Sequence, residues 1–120
     1  MKPRILIVED EVIIAVWLEK ALRGFGYEVP PVASTADEAV ALTEEHKPDI
    51  ILMDIILKGE KTGIDAAREI RENHRIPILF LTGNTHLLDD AEWEKKPGIM
   101  VIPKPVTIQQ LRRFIEEALG

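Results

Sequence analysis

Five polar side chains that could do chemistry stand at or just past the ends of short apolar runs. They are Glu9, Asp10, Asp54, Thr82 and Lys104. If the apolar runs are neighbouring parallel strands, these side chains meet at the carboxyl edge of one sheet, where ligand sites of such sheets lie. One such residue alone would be an ordinary helix cap or loop residue. The five together predict a functional site built from carboxylates, a hydroxyl and an ammonium.

The apolar runs have the pattern of strands that are buried on both faces. Each is continuous and rich in β-branched residues rather than alternating, which is typical of a parallel sheet covered by helices on both sides. The runs are Ile5–Val8, 50–53, 76–81 and 99–102.

Amphipathic segments with helix start signals separate these strands. Thr107 has Gln110 three residues later, the spacing of a capping box, and Ser34 or Thr35 is expected to start another helix. The predicted helices cover about 14–25, 35–47, 63–73 and 107–119, with a weaker one at 86–95.

A further strand is predicted at 27–33, at an edge of the sheet. Pro30 and Pro31 lie in this segment, and proline has no backbone N–H to donate to a neighbouring strand. Alternation of strand and helix five times over predicts an α/β fold: a doubly wound five-stranded parallel sheet between two helical layers, a (βα)5 three-layer sandwich.

Composition narrows the class of protein. The chain has 120 residues, no Cys, and 15 Lys+Arg against 21 Asp+Glu, a net charge of −6. We expect one domain over 1–120, with no room for an output domain. We also expect a cytoplasmic location, because no apolar run approaches the ~20 residues of a membrane helix and no signal peptide is present. An acidic chain without a basic stripe is not expected to bind nucleic acid.

The motifs together resemble the receiver domain of two-component response regulators. The matching segments are ILIVEDE at 5–11, PDIILMD at 48–54, Leu81-Thr82 and Lys104-Pro105. They extend over essentially the whole chain. The resemblance implies a flavodoxin-like fold with strand order 2-1-3-4-5, which places the proline-bearing strand at the sheet edge.

In that order, the strand before Glu9 and Asp10 neighbours the strand before Asp54, so three carboxylates converge. Their repulsion is relieved by a hard divalent cation with oxygen ligands, and Mg²⁺ fits, with Mn²⁺ as an alternative. Asp10 and Asp54 are expected as direct ligands and Glu9 as a ligand through water. The resemblance adds the backbone carbonyl of Ile56 and implies no organic cofactor.

The resemblance also implies roles for the other residues. Asp54 is the phosphoacceptor, which takes a phosphoryl group from a phosphohistidine on a histidine kinase or histidine phosphotransfer protein. Lys104 neutralises charge on the phosphoryl oxygens, and its bond to Pro105 is cis. Thr82 moves to donate to the phosphoryl group and alters the surface offered to a downstream protein target that the sequence does not identify. Catalysis is limited to phosphorylation and dephosphorylation of Asp54, so the protein is not otherwise an enzyme.

Three features set this chain apart from the common receiver pattern. Val101 stands where receivers usually carry Tyr or Phe, so the common coupling of Thr82 to an aromatic ring cannot operate. The loop after Asp54 is one residue longer before Gly63 than the commonest version. Ile56 is apolar where the family tunes water access, so we expect a phosphoryl group that outlasts that of receivers with a polar residue there.

Two surfaces could bind proteins. Val12, Ile13, Val16 and Trp17 are apolar but lie off the core face of the first helix, and either pack under neighbouring loops or form a docking patch. By resemblance, receivers present this helix and the loop after Lys104 to the kinase or phosphotransfer protein. The family also forms homodimers through the fourth helix, last strand and last helix.

Two other functions are compatible with parts of the pattern. An Asp-nucleophile phosphatase of the haloacid-dehalogenase kind needs a second Asp two residues after the nucleophile, where this chain has Ile56. A receiver-like interaction domain that is never phosphorylated is an alternative because of Val101, although the complete set of site residues argues against it.

Overall fold

A computed structural model describes residues 2–83 and 96–120 of the chain. Their elements, in chain order, are β1 (Ile5–Val8), α1 (Val12–Gly24), α2 (Ala36–His46), β2 (Ile50–Asp54), α3 (Gly63–Asn73), β3 (Ile78–Thr82), β4 (Ile99–Pro103) and α4 (Ile108–Leu119). The weak helix predicted at 86–95 lies outside the described residues. Within them, no helix is long and apolar enough to cross a membrane.

The four strands of the described residues form one parallel sheet in the order β1-β2-β3-β4. Val8 pairs with Met53, and Asp54 pairs with Leu81. Thr82, at the end of β3, pairs with Pro103 at the end of β4. Because the strands are parallel, their carboxyl ends meet at one edge of the sheet, as the sequence predicts.

The segment 27–33 is not a strand, so the predicted five-stranded sheet in the order 2-1-3-4-5 is wrong for the described residues. Two isolated parallel bridges, one at Glu28 and one at Ala33, hold this segment beside β1. Pro30 and Pro31 lie between the bridges and supply no backbone N–H, so a continuous ladder cannot form there. The prolines thus keep the segment at the sheet edge, as predicted, but also prevent it from becoming a regular strand.

Both faces of the sheet are buried, as the continuous apolar runs predict. Leu6, Ile51 and Phe80 belong to a cluster on one face that includes buried residues of α2 and α3. Ile7 and Leu52 belong to a second cluster on the other face, with buried residues of α1 and α4. The α/β architecture with helices on both sides of a parallel sheet is therefore confirmed.

Helix starts follow the local signals in the sequence. Thr35 caps α2, where its Oγ1 accepts a hydrogen bond of 3.1 Å from the Glu38 backbone N–H. Thr107 caps α4 in the predicted box: its Oγ1 accepts from the Gln110 N–H at 3.1 Å, and Oε1 of Gln110 accepts from the Thr107 N–H at 2.9 Å. These caps satisfy backbone N–H groups in the first turns of α2 and α4.

Candidate functional site

Three carboxylates meet at the carboxyl edge of the sheet. Glu9 and Asp10 directly follow β1, and Asp54 is the last residue of the neighbouring strand β2. One carboxylate oxygen from each residue lies within 4.8 Å of the others. The structure therefore brings together the three acidic residues that the sequence predicts as a cation site.

Glu9 is the most buried member of this cluster, with only 4% of its surface exposed. Neither of its carboxylate oxygens has a hydrogen-bond partner within the described part of the chain. Burial, followed by the proximity and negative charge of Asp54, raises the pKa of Glu9 to about 8, against the opposite effect of Lys104. A buried carboxylate without donors destabilises a fold unless positive charge compensates it. This donor set therefore fits a hard cation.

Lys104 places an ammonium against this cluster. Its Nζ lies 3.5 Å from Oδ2 of Asp54, and the two side chains are 31% and 17% exposed. The backbone N–H of Lys104 donates a 2.8 Å hydrogen bond to the carbonyl of Thr82, which joins the segment after β4 to the end of β3. The bond between Lys104 and Pro105 is cis, as the family resemblance implies.

Thr82 and Ile56 lie at or past the carboxyl ends of their strands, and Val101 lies in the middle of β4. Thr82 is the buried last residue of β3. Ile56, two residues past Asp54, has a side chain that is 65% exposed. Val101 in β4 is 39% exposed and pairs with Phe80 of β3.

An apolar groove of about 450 Å³ opens beside the carboxylates, and the sequence analysis did not predict it. Ile14 and Trp17 of α1 line it together with Pro105 and Val106, and Asp54 is among its polar lining residues. The groove is formed by elements far apart in sequence. The local signal that could have pointed to it is that α1 carries apolar residues off its core face.

A patch of exposed apolar side chains on α1 adjoins this groove. We call it the α1 patch; it consists of Val12, Ile13, Val16 and Trp17. Ile13 is 85% exposed and Val12 is 72% exposed, so packing under neighbouring loops is not the explanation for these two residues. Trp17 belongs to both the patch and the groove. An apolar surface of this kind is typical of a protein-binding site.

A parallel α/β sandwich that gathers three carboxylates, a lysine and a threonine at one sheet edge defines a signalling domain of the receiver class. The family model described as the response regulator receiver domain matches residues 5–116. The chain therefore belongs to the response regulator receiver domain family.

Two curated relatives have longer chains than this one. The chain is 40% identical over 118 residues to the transcriptional regulatory protein PdtaR of Mycobacterium tuberculosis (strain ATCC 25618 / H37Rv), which covers 98% of this chain and 57% of PdtaR. It is 34% identical over 120 residues to the phyllosphere-induced regulator PhyR of Methylorubrum extorquens, covering 99% of this chain and 44% of PhyR. The chain thus spans about half the length of the curated relatives it matches.

One solved structure matches along nearly its full length. It is the receiver domain of the sensor histidine kinase PA1611 from Pseudomonas aeruginosa PAO1, with a magnesium ion coordinated in its active-site cleft. The TM-score is 0.85 at 32% sequence identity, and the match covers 100% of this chain and 99% of that one. The fold of the described residues is therefore that of a receiver domain.

The buried carboxylate of Glu9 leads to a stability prediction. Glu9→Gln should raise the free energy of unfolding in a metal chelator at pH 8.5 by about 1–3 kcal/mol, because a neutral amide can donate to Asp54 and removes a buried negative charge. Urea unfolding followed by circular dichroism measures this difference. Glu117→Gln, at an exposed position of α4, is the control and should change it by less than about 0.5 kcal/mol. A loss of stability in Glu9→Gln would contradict the prediction.

Proposed function

We propose that this chain is the phosphoacceptor receiver of a two-component or phosphorelay system. Asp54 takes a phosphoryl group from a phosphohistidine on a histidine kinase or histidine phosphotransfer protein, and its phosphorylation switches a protein-interaction surface. The observation that carries the proposal is the position of Asp54. Its carboxylate belongs to the acidic cluster, lies 3.5 Å from Nζ of Lys104 and lines an apolar groove.

The arrangement suits Asp54 as the nucleophile. Aspartate carboxylates need no general base at neutral pH. One oxygen of Asp54 forms the bond to phosphorus, the bond from phosphorus to the histidine nitrogen breaks, and the electron pair returns to the imidazole. The Asp54 side chain is 17% exposed, which leaves access from the groove while most of its surroundings exclude water.

The acidic cluster would hold Mg²⁺, with Mn²⁺ as an alternative. Asp10 and Asp54 would be direct ligands, Glu9 would act through water, and the loop after β2 would add the Ile56 carbonyl. The support is the donor set itself: three oxygens within 4.8 Å, one of them on a buried carboxylate without a donor in the described chain. When bound, the ion supplies positive charge opposite the phosphoryl oxygens. The magnesium ion in the PA1611 receiver domain supports the same assignment by similarity.

Lys104 and Thr82 would bind the phosphoryl group that Asp54 receives. Lys104 carries a compact charge that would pair with a phosphoryl oxygen, and the Thr82 hydroxyl would donate to another. Because the Thr82 carbonyl accepts from the Lys104 N–H at 2.8 Å, movement at Thr82 would also shift the segment that carries Lys104. That segment continues into Pro105 and Val106, which line the groove. This connection is a route from phosphorylation to the surface that needs no aromatic ring at Val101.

The α1 patch would bind the phosphodonor protein. Receiver domains interact with histidine kinases and with downstream targets, and here the exposed apolar residues lie next to the groove that leads to Asp54. The downstream target would be a protein, and a homodimer would use the surface of β4 and α4 together with the predicted helix at 86–95, which lies outside the described residues.

Phosphorylation of the isolated chain tests the proposal directly. Incubation with Mg²⁺ and a small phosphodonor such as acetyl phosphate should add the mass of one phosphoryl group, measured by intact mass spectrometry. Asp54→Asn and excess chelator should each abolish the adduct, because they remove the nucleophile or the charge that offsets the phosphoryl oxygens. Asp37→Asn, an exposed aspartate of α2, should leave it unchanged. No adduct on the unaltered chain would favour the unphosphorylated interaction domain.

The docking role of the α1 patch is tested by Ile13→Glu. A charge at this 85% exposed position should slow phosphotransfer from the cognate kinase by about tenfold, since it opposes burial of the patch against an apolar partner. Phosphorylation by acetyl phosphate should stay at the level of the unaltered chain. Equal slowing with both donors would mean that the substitution damages the site, and no slowing with the kinase would exclude the patch as its docking surface.

The lifetime of the phosphoryl group is tested by Ile56→Asn. An apolar side chain two residues past Asp54 would hinder an attacking water, so the amide should speed dephosphorylation roughly 3–10-fold, about 1 kcal/mol of activation free energy. Decay of the phosphorylated chain by intact mass measures this rate. Ile56→Leu, which keeps the apolar character, should decay at the original rate, and equal rates for all three chains would contradict the prediction.

A further inference from the structure

The first residue of α3 packs directly on the backbone of the acceptor strand. A Cβ on Gly63 would collide with the backbone carbonyl oxygen of Asp54, and it would lie only 3.0 Å from the Asp54 carbonyl carbon and 3.0 Å from Cγ of Met53. Such distances are well below the 3.5–4.0 Å or so at which carbon atoms pack comfortably. The contact therefore exists only because residue 63 has no side chain.

A hydrogen bond closes the loop between β2 and α3 at the same point. The backbone N–H of Gly63 donates to the carbonyl of Ile55 at 2.7 Å. The loop that this bond closes begins directly after Asp54 and contains Ile56. Gly63 thus contacts the backbone on which both the acceptor and a proposed metal ligand depend.

Gly63 cannot retreat from Asp54, because α3 is held in place independently. The N-cap Thr62 forms a reciprocal box with Asp65: the Thr62 N–H donates to Oδ2 of Asp65 at 2.8 Å, and the Asp65 N–H donates to Oγ1 of Thr62 at 3.3 Å. Ala66 and Ala67 are buried in the core against the sheet. In a close-packed interior, an added methyl group has to displace its neighbours.

We propose that Gly63 is a positioning residue for Asp54. Its missing side chain lets α3 set where the end of β2 lies, and so sets the position of the Asp54 carboxylate relative to Glu9 and Lys104. The inference rests on the proposed role of Asp54 as phosphoacceptor. Phosphoryl transfer depends on alignment, and misplacement by about 1 Å can slow such a reaction by roughly 10²-fold.

A second glycine at the same sheet edge provides a matched control. Gly83 directly follows Thr82, and a Cβ there would meet no heavy atom within 4 Å. Gly83→Ala therefore makes the same chemical change near the site without forcing the backbone. Ala66→Gly is the control for stability, because it weakens α3 and opens a small gap in the core without adding an atom near Asp54.

The test compares Gly63→Ala with these controls at a temperature where circular dichroism shows each chain to be folded. Gly63→Ala should be phosphorylated by acetyl phosphate about 100-fold more slowly at saturating Mg²⁺, and it should bind Mg²⁺ about tenfold more weakly by tryptophan fluorescence. Gly83→Ala should match the unaltered chain in both. Ala66→Gly should lower the thermal midpoint but keep the Mg²⁺ affinity and the phosphorylation rate of the unaltered chain. If Gly63 only stabilised the fold, Gly63→Ala would behave like Ala66→Gly.

Unchanged Mg²⁺ affinity and phosphorylation rate in Gly63→Ala would overturn the inference, and so would losses no larger than those of Ala66→Gly. If the unaltered chain accepts no phosphoryl group, the proposed function fails, while Mg²⁺ affinity still tests the positioning.

Amide hydrogen exchange on the unaltered chain tests the inference without any variant. Slow exchange at the Gly63 N–H would support its hydrogen bond to the Ile55 carbonyl, which closes the loop after Asp54. Exchange as fast as at the exposed Gly59 would show that this bond is absent and would overturn the inference.

Discussion

The repulsion among three carboxylates at one sheet edge is the constraint on which the rest of this structure depends. Parallel pairing of β1 with β2 forces Glu9 and Asp10 toward Asp54, and burial deprives Glu9 of water. Ionised Glu9 in this cluster opposes folding, which is why the pKa of Glu9 is raised. The cluster persists because both faces of the sheet are packed into extensive apolar clusters, so the stable core holds the acidic edge in a position that favours positive charge.

Much of this site could be predicted because its residues are tied to strand ends. A continuous apolar run followed by an acidic residue determines both the burial of the strand and the edge at which the charge lies, and Asp54 shows this directly. Other features depend on contacts between distant segments. The approach of Gly63 to Asp54 follows from how α3 packs on the sheet, and the groove needs Trp17 and Val106, which are far apart in sequence, to line one cavity. The error at 27–33 has a local cause: Pro30 and Pro31 predict the edge position of this segment, but the same two residues also interrupt the strand.

The apolar surface beside the site complements its charges. A groove walled by Ile14, Trp17 and Val106 adjoins the acidic cluster, and it would lower the local dielectric when a partner covers it. The attraction between Lys104 and an incoming phosphoryl group would be stronger in this low-dielectric environment than in water. If the phosphodonor docks on the α1 patch as proposed, the patch and the carboxylates would act together, since a partner that buries the patch would also strengthen the electrostatics at the carboxylates.

The two prolines beside β1 affect how this molecule behaves when it is concentrated. An open sheet can recruit a strand from another copy wherever its border offers a row of unpaired amides and carbonyls, which is how edge-to-edge aggregation begins. Here that border is occupied by a segment anchored at Glu28 and Ala33, with Pro30 and Pro31 between the anchors. Neither proline can donate to an incoming strand, so the sheet resists extension on this side. The irregularity that prevents a fifth strand is also a barrier to polymerisation.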